Sequence, residues 1–590
     1  MTHRLPAFLL CLIVTSICRS QISPLPGAKL NYNQIMFECE KIKGPGFYVI
    51  QLSANTTDTL FGYNLLERKD SSPAMLISNL QFGQKYRWRY TRIKDGQKPV
   101  WQGPYLFEIS AISMPGKNLE RIIVSKNDTS ANAGGFIIND GNHCIIDRAG
   151  KPVWYLPNIT WRAILVKKKV EIKPQILDLR LNAAGTITYL ADSIAVECDL
   201  NGHQLWKGPN DGNVSGMGTE SYNHDFKRLP NGHYMILGNE IWRKLPDYYD
   251  TVSIQKKYHI RQVFNNKEYA KVEFGTVIEY DKNGKVVWSW NSQDYFDPDA
   301  LKPWRLDQES DWSELAHINA FSVDKNNDYV YVGFRNINRV VKVEKKTGKV
   351  VDSWGQRWPG GEARKALDIH RQHDANLLRD NTIAVFNSND FPGSDSLASV
   401  VIFSQQPVDT GCVIWQFNCD FDSIDHRATR NGGNVDELKN GNLFVCTGNM
   451  DRIFEVTRDK KIVWQAMIQG DAQAGKLFDH RLYRAHWVSS LYPCYFTFQT
   501  DEDTVTRKSL HFGIRIFNKG SEEDAYRVKV ASASGLYSSL FTTAMLNAES
   551  SAFFEIKPDK PLAAGDKINI SISSKTNPDL ERHSWVVVAK

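Results

Sequence analysis

Ser221–Glu240, SYNHDFKRLPNGHYMILGNE, reads as a β-hairpin. His224, Phe226 and Leu229 mark one strand, Pro230-Asn231-Gly232 supplies the turn, and Tyr234, Ile236 and Leu237 mark the return. The same register recurs at Gln372–Phe386 (QHDANLLRDNTIAVF) and at Gly433–Val445 (GNVDELKNGNLFV), and with a longer turn at His317–Phe334 (HINAFSVDKNNDYVYVGF). His224 stands seven residues before Asn231, His373 seven before Asp380, and His317 opens its own run at the same place. One hairpin position therefore carries a histidine three times.

A second repeat interleaves with the hairpins: an apolar strand, a turn rich in Asp and Gly, and a strand ending in Trp. It occurs as Ile145–Trp154, Val196–Trp206, Ile278–Trp288, Val340–Trp354, Val400–Trp415 and Phe454–Trp464. Six copies at about 60 residues each exceed the roughly 40–50 of a typical propeller blade, and insertions such as Trp242–Phe274 and Asn291–Ala316 absorb the excess. The expected fold is all-β: a six-bladed β-propeller over residues 118–493. It is flanked by an N-terminal β-sandwich (21–117) and a C-terminal β-sandwich (494–590), where alternation continues without the Trp repeat. The turn at Asp324 resembles a calcium loop but has Arg335 where Glu would be needed, so a plain hairpin turn is expected.

The bounds agree. The 16 Trp, 23 Tyr and 28 Phe favour β structure, and a net charge of +6 without basic runs argues against nucleic acid as a partner. Met1–Ser20 has a basic start, an apolar centre and a small-residue exit, the pattern of a secretory signal peptide cleaved before Gln21. A periplasmic or secreted protein is expected, and no later segment is apolar for long enough to span a membrane. Seven cysteines follow the leader. Cys412 and Cys419, flanking VIWQFN, are the expected disulfide pair, and the odd total leaves a free thiol.

If the first strand of each blade lines a central channel, His224, His317 and His373 face one another from the third, fourth and fifth blades. A single such histidine is most simply a satisfied strand residue; three in one register point to a site. Asn319, two positions past His317, falls on the same strand face, and Arg335 ends the returning strand, where an inter-blade salt bridge is its bland alternative. Asn239, Asn389 and Thr447 end the equivalent returning strands and line the same mouth. The chain shows no serine elbow or phosphate loop. Two chemistries suit these residues: zinc held by three histidines, or nucleophilic histidine catalysis on an anionic group with Arg and Asn holding its oxygens. The fork of Arg335 onto a tetrahedral oxyanion favours the second.

NHDFKRLPNGHYMIL, HINAFSV with Arg335 eighteen residues past His317, QHDANLL with a TGN turn downstream, and the closing Arg481–Pro493 (RLYRAHWVSSLYP) resemble the bacterial aryl-sulfate sulfotransferases. The resemblance implies a periplasmic six-bladed propeller that moves a sulfuryl group from an aryl sulfate donor to a phenol acceptor. It also implies no cofactor, phosphoadenosine phosphosulfate included, and no metal. It places the transiently sulfated histidine at His373, with His224, His317, Asn319 and Arg335 around the sulfuryl group. A homodimer is a further expectation of the resemblance; the sandwich after Tyr495 departs from the family pattern. Rival readings are a non-catalytic propeller binding a glycan or peptide, an aryl sulfate hydrolase, and a trihistidine metal enzyme.

Overall fold

The computed structural model describes residues 22–41, 46–54, 61, 66–93, 98–112, 121–157, 161–165, 168–172, 175–216, 218–238, 262–264, 267–269, 274–295, 317–356, 365–390, 397–408, 411–421, 431–469, 482–502, 504–506, 511–558 and 561–589. The expected leader, Asn239 and most of the two insertions lie outside them.

Alternating apolar residues and tight turns form short, mostly antiparallel strands, as the hairpin reading requires. Among the described residues, six sheets of four or five strands follow one another between Arg121 and Val488. Their innermost strands are Ala485–Val488, Ile176–Leu181, Asn223–Arg228, Ile318–Val323, His373–Leu377 and Asn434–Glu437. A buried apolar core fills each junction. Phe226 and Tyr234 meet Trp206 and Leu190 between the second and third sheets, for example, and Ala320 and Tyr331 meet Ala375 and Ile383 between the fourth and fifth. The other four junctions are filled in the same way, so the sheets form a closed propeller. Each large side chain so buried contributes about 1.5–3 kcal/mol.

Two strands seal the ring. Arg121–Asn127 joins the sixth sheet as its outermost strand, against Ile462–Gln469. Ala485–Val488, from the far end of the propeller, becomes the innermost strand of the first sheet by pairing with Phe136–Asn139.

The Trp repeat has a structural reason. The indole N–H of Trp154 donates to Leu200 O in the next sheet, Trp288 to Lys345 O, Trp415 to Arg458 O and Trp464 to Arg148 O, at 2.7–3.0 Å. The first three tie the outermost strand of one sheet to a turn of its neighbour, and Trp464, on the strand just inside Arg121–Asn127, ties the sixth sheet to the first. Trp206 instead stacks on Tyr234 with centroids 3.9 Å apart, and Trp354 packs against Phe403.

The flanking regions are paired sheets. A five-stranded sheet (Ala28–Leu30, Gln102–Ile109, Lys85–Ile93, Phe47–Ser53, Leu66–Asp70) covers the antiparallel pair Ile35–Glu38 and Ala74–Ile77. Beyond Cys494, a three-stranded sheet packs on a five-stranded one. The two regions touch: Glu38 accepts from Arg582 and from the Tyr495 hydroxyl, each at 2.6 Å. At Asp324 the carboxylate accepts the N–H groups of Asp328 and Tyr329 and closes the turn itself.

The expected disulfide does not form. Cys412 packs between the fourth and fifth sheets and Cys419 between the fifth and sixth, and all seven described cysteines are free thiols. Seven steps along an extended strand, at about 3.3 Å each, separate the pair by far more than the ~7 Å a disulfide spans.

Candidate active site

The inner strands of the third, fourth and fifth sheets do not alternate regularly. Each slips register against its partner, between Asn223 and Phe226, Ile318 and Ala320, and His373 and Asn376. A left-handed residue sits in or beside each slip: His224 (φ +56°), His317 (+52°) and Asp374 (+59°). Non-glycine residues adopt this conformation rarely, and it clusters where surroundings impose it. These are β-bulges, which turn side chains away from the faces that simple alternation assigns them.

The bulges bring the histidines together. His224 and His317 meet edge to face, with ring centroids 4.7 Å apart. Tyr483, from the segment entering the closing strand, stands between His224 and His373, at 6.0 and 6.3 Å from their rings. Its hydroxyl is 2.8 Å from His224 Nδ1, and burial pushes its pKa up to about 12, so it is a neutral phenol hydrogen-bonded to that ring. The Ser388 hydroxyl lies 3.0 Å from His373 Nδ1. Burial first, then the cations Arg335 and Arg484, holds the His373 pKa well below the ordinary imidazole value. Burial, His317, Arg484 and Arg335 do the same to His224. Both are neutral imidazoles at neutral pH.

Arg335 reaches this cluster because its N–H donates to His317 O at 2.9 Å, closing the hairpin eighteen residues on. Its guanidinium donates to Asn336 Oδ1 at 2.9 Å. Asn319 is placed differently from the expectation of a shared face with His317. The bulge turns it into the junction between sheets, where Nδ2 donates to Gln372 O at 2.8 Å and the side chain is fully buried. Asn389 donates its N–H to His370 O and its side-chain amide to Leu397 O, and Thr447 is buried with its hydroxyl on Arg452 O.

Beside the histidines runs a set of carboxylates that sequence reading did not single out. Asp140 accepts Asp178 N–H, Asp178 accepts Phe226 N–H, Asp225 accepts Phe321 N–H and Asp374 accepts Val435 N–H, at 2.8–3.0 Å; Asp436 accepts Trp487 N–H at 3.3 Å. Four of these bonds cross from one innermost strand to the next, Asp140 reaches the second sheet from just past Phe136–Asn139, and Asn319 supplies the crossing from the fourth sheet to the fifth. Arg484, buried on the closing segment, lies 3.7 Å from Asp178 and 3.6 Å from Asp374 and donates to Asn319 O at 2.9 Å. Arg180 and Lys227 pair with Asp225, and His486 sits between Asp436 (3.0 Å) and Asp178 (3.6 Å).

Tyr483 and Arg484 were part of the quoted closing segment, but nothing in their spacing announced a role. The signal available was Gly432, which has φ +76° and would drive a Cβ into the Tyr483 carbonyl, marking a close backbone approach. Among the described residues, no group of three or more His, Cys, Asp or Glu side chains is arranged to hold a metal ion.

The family comparison bears on this geometry directly. Residues 122–399 match the family model Arylsulfotransferase (ASST). That segment, a little under half of the chain, is similar to the arylsulfotransferase family. That span contains His224, His317, Asn319, Arg335 and His373, whereas Tyr483 and Arg484 lie beyond it. No curated protein matches the chain. Among solved structures, it is similar to a protein of unknown function from Bacteroides caccae, with 12% identity over 60% of this chain and 98% of that one and a TM-score of 0.34. It is also similar to the Cps50 (Swd1) β-propeller domain of Myceliophteria thermophila (10% identity, 52% and 88% covered, TM-score 0.28) and to hydrazine synthase of Kuenenia stuttgartiensis (12%, 56% and 78%, TM-score 0.28). Among the described residues no helix is long and apolar enough to cross a membrane.

Proposed function

We propose that this protein transfers a sulfuryl group from an aryl sulfate to a phenol through a covalent intermediate on His373. The observation that carries the reading is a buried, neutral His373 sharing one cluster with His224, His317 and the cation Arg335. With Nδ1–H donating to Ser388 Oγ, the lone pair of Nε2 is left to attack. The N–S bond forms as the S–O bond to the donor breaks, and the electron pair leaves with the phenolate. Phenols, with pKa about 10, leave far better than alkoxides, which makes aryl esters the natural donors. Arg335 forks onto the sulfuryl oxygens. Tyr483 fixes His224 with its Nε2 protonated, so His224 can donate to the departing oxygen. In the return half-reaction the acceptor phenol gives up its proton to His317 and its oxygen attacks sulfur. The S–N bond then breaks and His373 regains its lone pair.

Asn319, committed to Gln372 O, acts by holding the strands of His317 and His373 together. No cofactor enters these steps, and the leader sequence supports export to the periplasm or beyond. The decisive experiment is mass spectrometry after exposure to 4-nitrophenyl sulfate. A single added sulfuryl group on the peptide containing His373, discharged by phenol with formation of phenyl sulfate, is expected. Nitrophenolate release that phenol does not accelerate would assign a hydrolase; no release and no adduct would leave a binding protein.

A further inference from the structure

Arg335 does not stand alone at the mouth of the cluster. Asp390 Oδ2 is 3.5 Å from one Arg335 nitrogen and 3.1 Å from an Arg371 nitrogen, so a single carboxylate oxygen is shared by two guanidinium groups. Arg371 is held for this contact. Its backbone is left-handed (φ +49°), and its N–H donates to Asn338 Oδ1 at 2.7 Å. The next residue, Gln372, donates its side-chain amide to Phe334 O and Arg339 O, each at 2.9 Å. The turn after Arg335 is thereby laced to the segment that enters His373. Asp390 follows two residues after Ser388, the partner of His373.

A carboxylate beside Arg335 competes with the sulfuryl oxygens of a donor for the same guanidinium. Paired with Asp390 alone, Arg335 would present no net charge to an anion. Arg371 offers Asp390 the shorter contact, and two cations with one anion leave the trio positive. We propose that Arg371 is a positioning residue that draws Asp390 off Arg335 and so keeps the Arg335 guanidinium available to an aryl sulfate. The inference rests on the reading of Arg335 as the sulfuryl clamp.

The test is donor kinetics with 4-nitrophenyl sulfate and phenol, on the full-length protein, with melting temperatures to check folding. Arg371→Met is expected to lower donor kcat/KM about tenfold, mainly through KM, because Asp390 then occupies Arg335. Arg371→Lys, which keeps the charge, should stay within about threefold of wild type. The double variant Arg371→Met/Asp390→Asn should recover to within about threefold, since the competitor no longer carries charge. If Arg371 merely braces the loop, removing its second partner brings no recovery, and that result overturns the proposal. So does an Arg371→Met enzyme with unchanged donor kinetics. Arg335→Met separates the two levels: unchanged donor kinetics there would sink the clamp itself, whereas a large loss there with none at Arg371 would sink only the role of Arg371.

Discussion

Neighbouring residues of the same strands, His224 with Asp225 and His373 with Asp374, hold charge in opposite ways. The histidines are buried beside cations and kept neutral. The carboxylates one residue on are spent on the next sheet: Asp225 takes Phe321 N–H and Asp374 takes Val435 N–H, with Arg484 within ion-pair reach of Asp374. A bulge at each dipeptide makes the division possible, because a regular strand would simply point the two side chains to opposite faces. One short motif thus joins neighbouring sheets with one side chain and, in the function proposed above, carries the chemistry with the other.

The sharpest way to break that division is His373→Asn. Donor turnover is expected to fall by about 10⁴-fold or more while the melting temperature stays near wild type. A variant that loses both would make the histidine structural. Next in size is Arg484→Met, which removes the cation beside Asp374 and leaves Asp178 with Arg180 alone, and is expected to cost about 3–5 kcal/mol in denaturant unfolding. A loss under 1 kcal/mol would show that the carboxylates are satisfied by backbone bonds alone.

Acidity separates the two sets more finely. His224 and His373 have folded pKa values below the unfolded value of about 6.5, so their contribution to stability is complete above that pH and is lost as the pH falls. His486 runs the other way. Burial opposes its charge, yet Asp436 and Asp178 carry its pKa above the ordinary value. Its contribution is therefore complete below about pH 6.5 and is lost as the pH rises through the folded value. Melts at several pH values should show His486→Gln losing most at acidic pH, by roughly 1 kcal/mol, while His373→Asn softens the acid loss. The smallest expected effect sorts Asn319: Asn319→Ala should cost about 1 kcal/mol of stability and leave donor KM unchanged, which a changed KM would contradict.

Much of this was legible in the residues. The Trp repeat was visible because one indole per sheet is needed to reach the next, and the hairpin repeat set three histidines in one register. Alternation, however, misplaced Asn319, because nothing in His-Ile-Asn or His-Asp-Phe announces a left-handed residue. The carboxylates passed as ordinary strand polars, since their partners are backbone N–H groups of the neighbouring sheet and carry no side-chain signature. Tyr483 and Arg484 escaped because the closing strand belongs to no repeat and contributes only once. The Cys412–Cys419 pairing rested on closeness in sequence, which in an extended strand means distance.

The position of Ala485–Val488 has a consequence for biosynthesis. A ribosome that has finished the sixth sheet has still not made the residues that touch His224 and shield the carboxylates, and the first sheet waits with an open edge. Completion of the histidine cluster and closure of that edge therefore arrive together, with one late stretch of chain, so a prematurely terminated polypeptide would lack both.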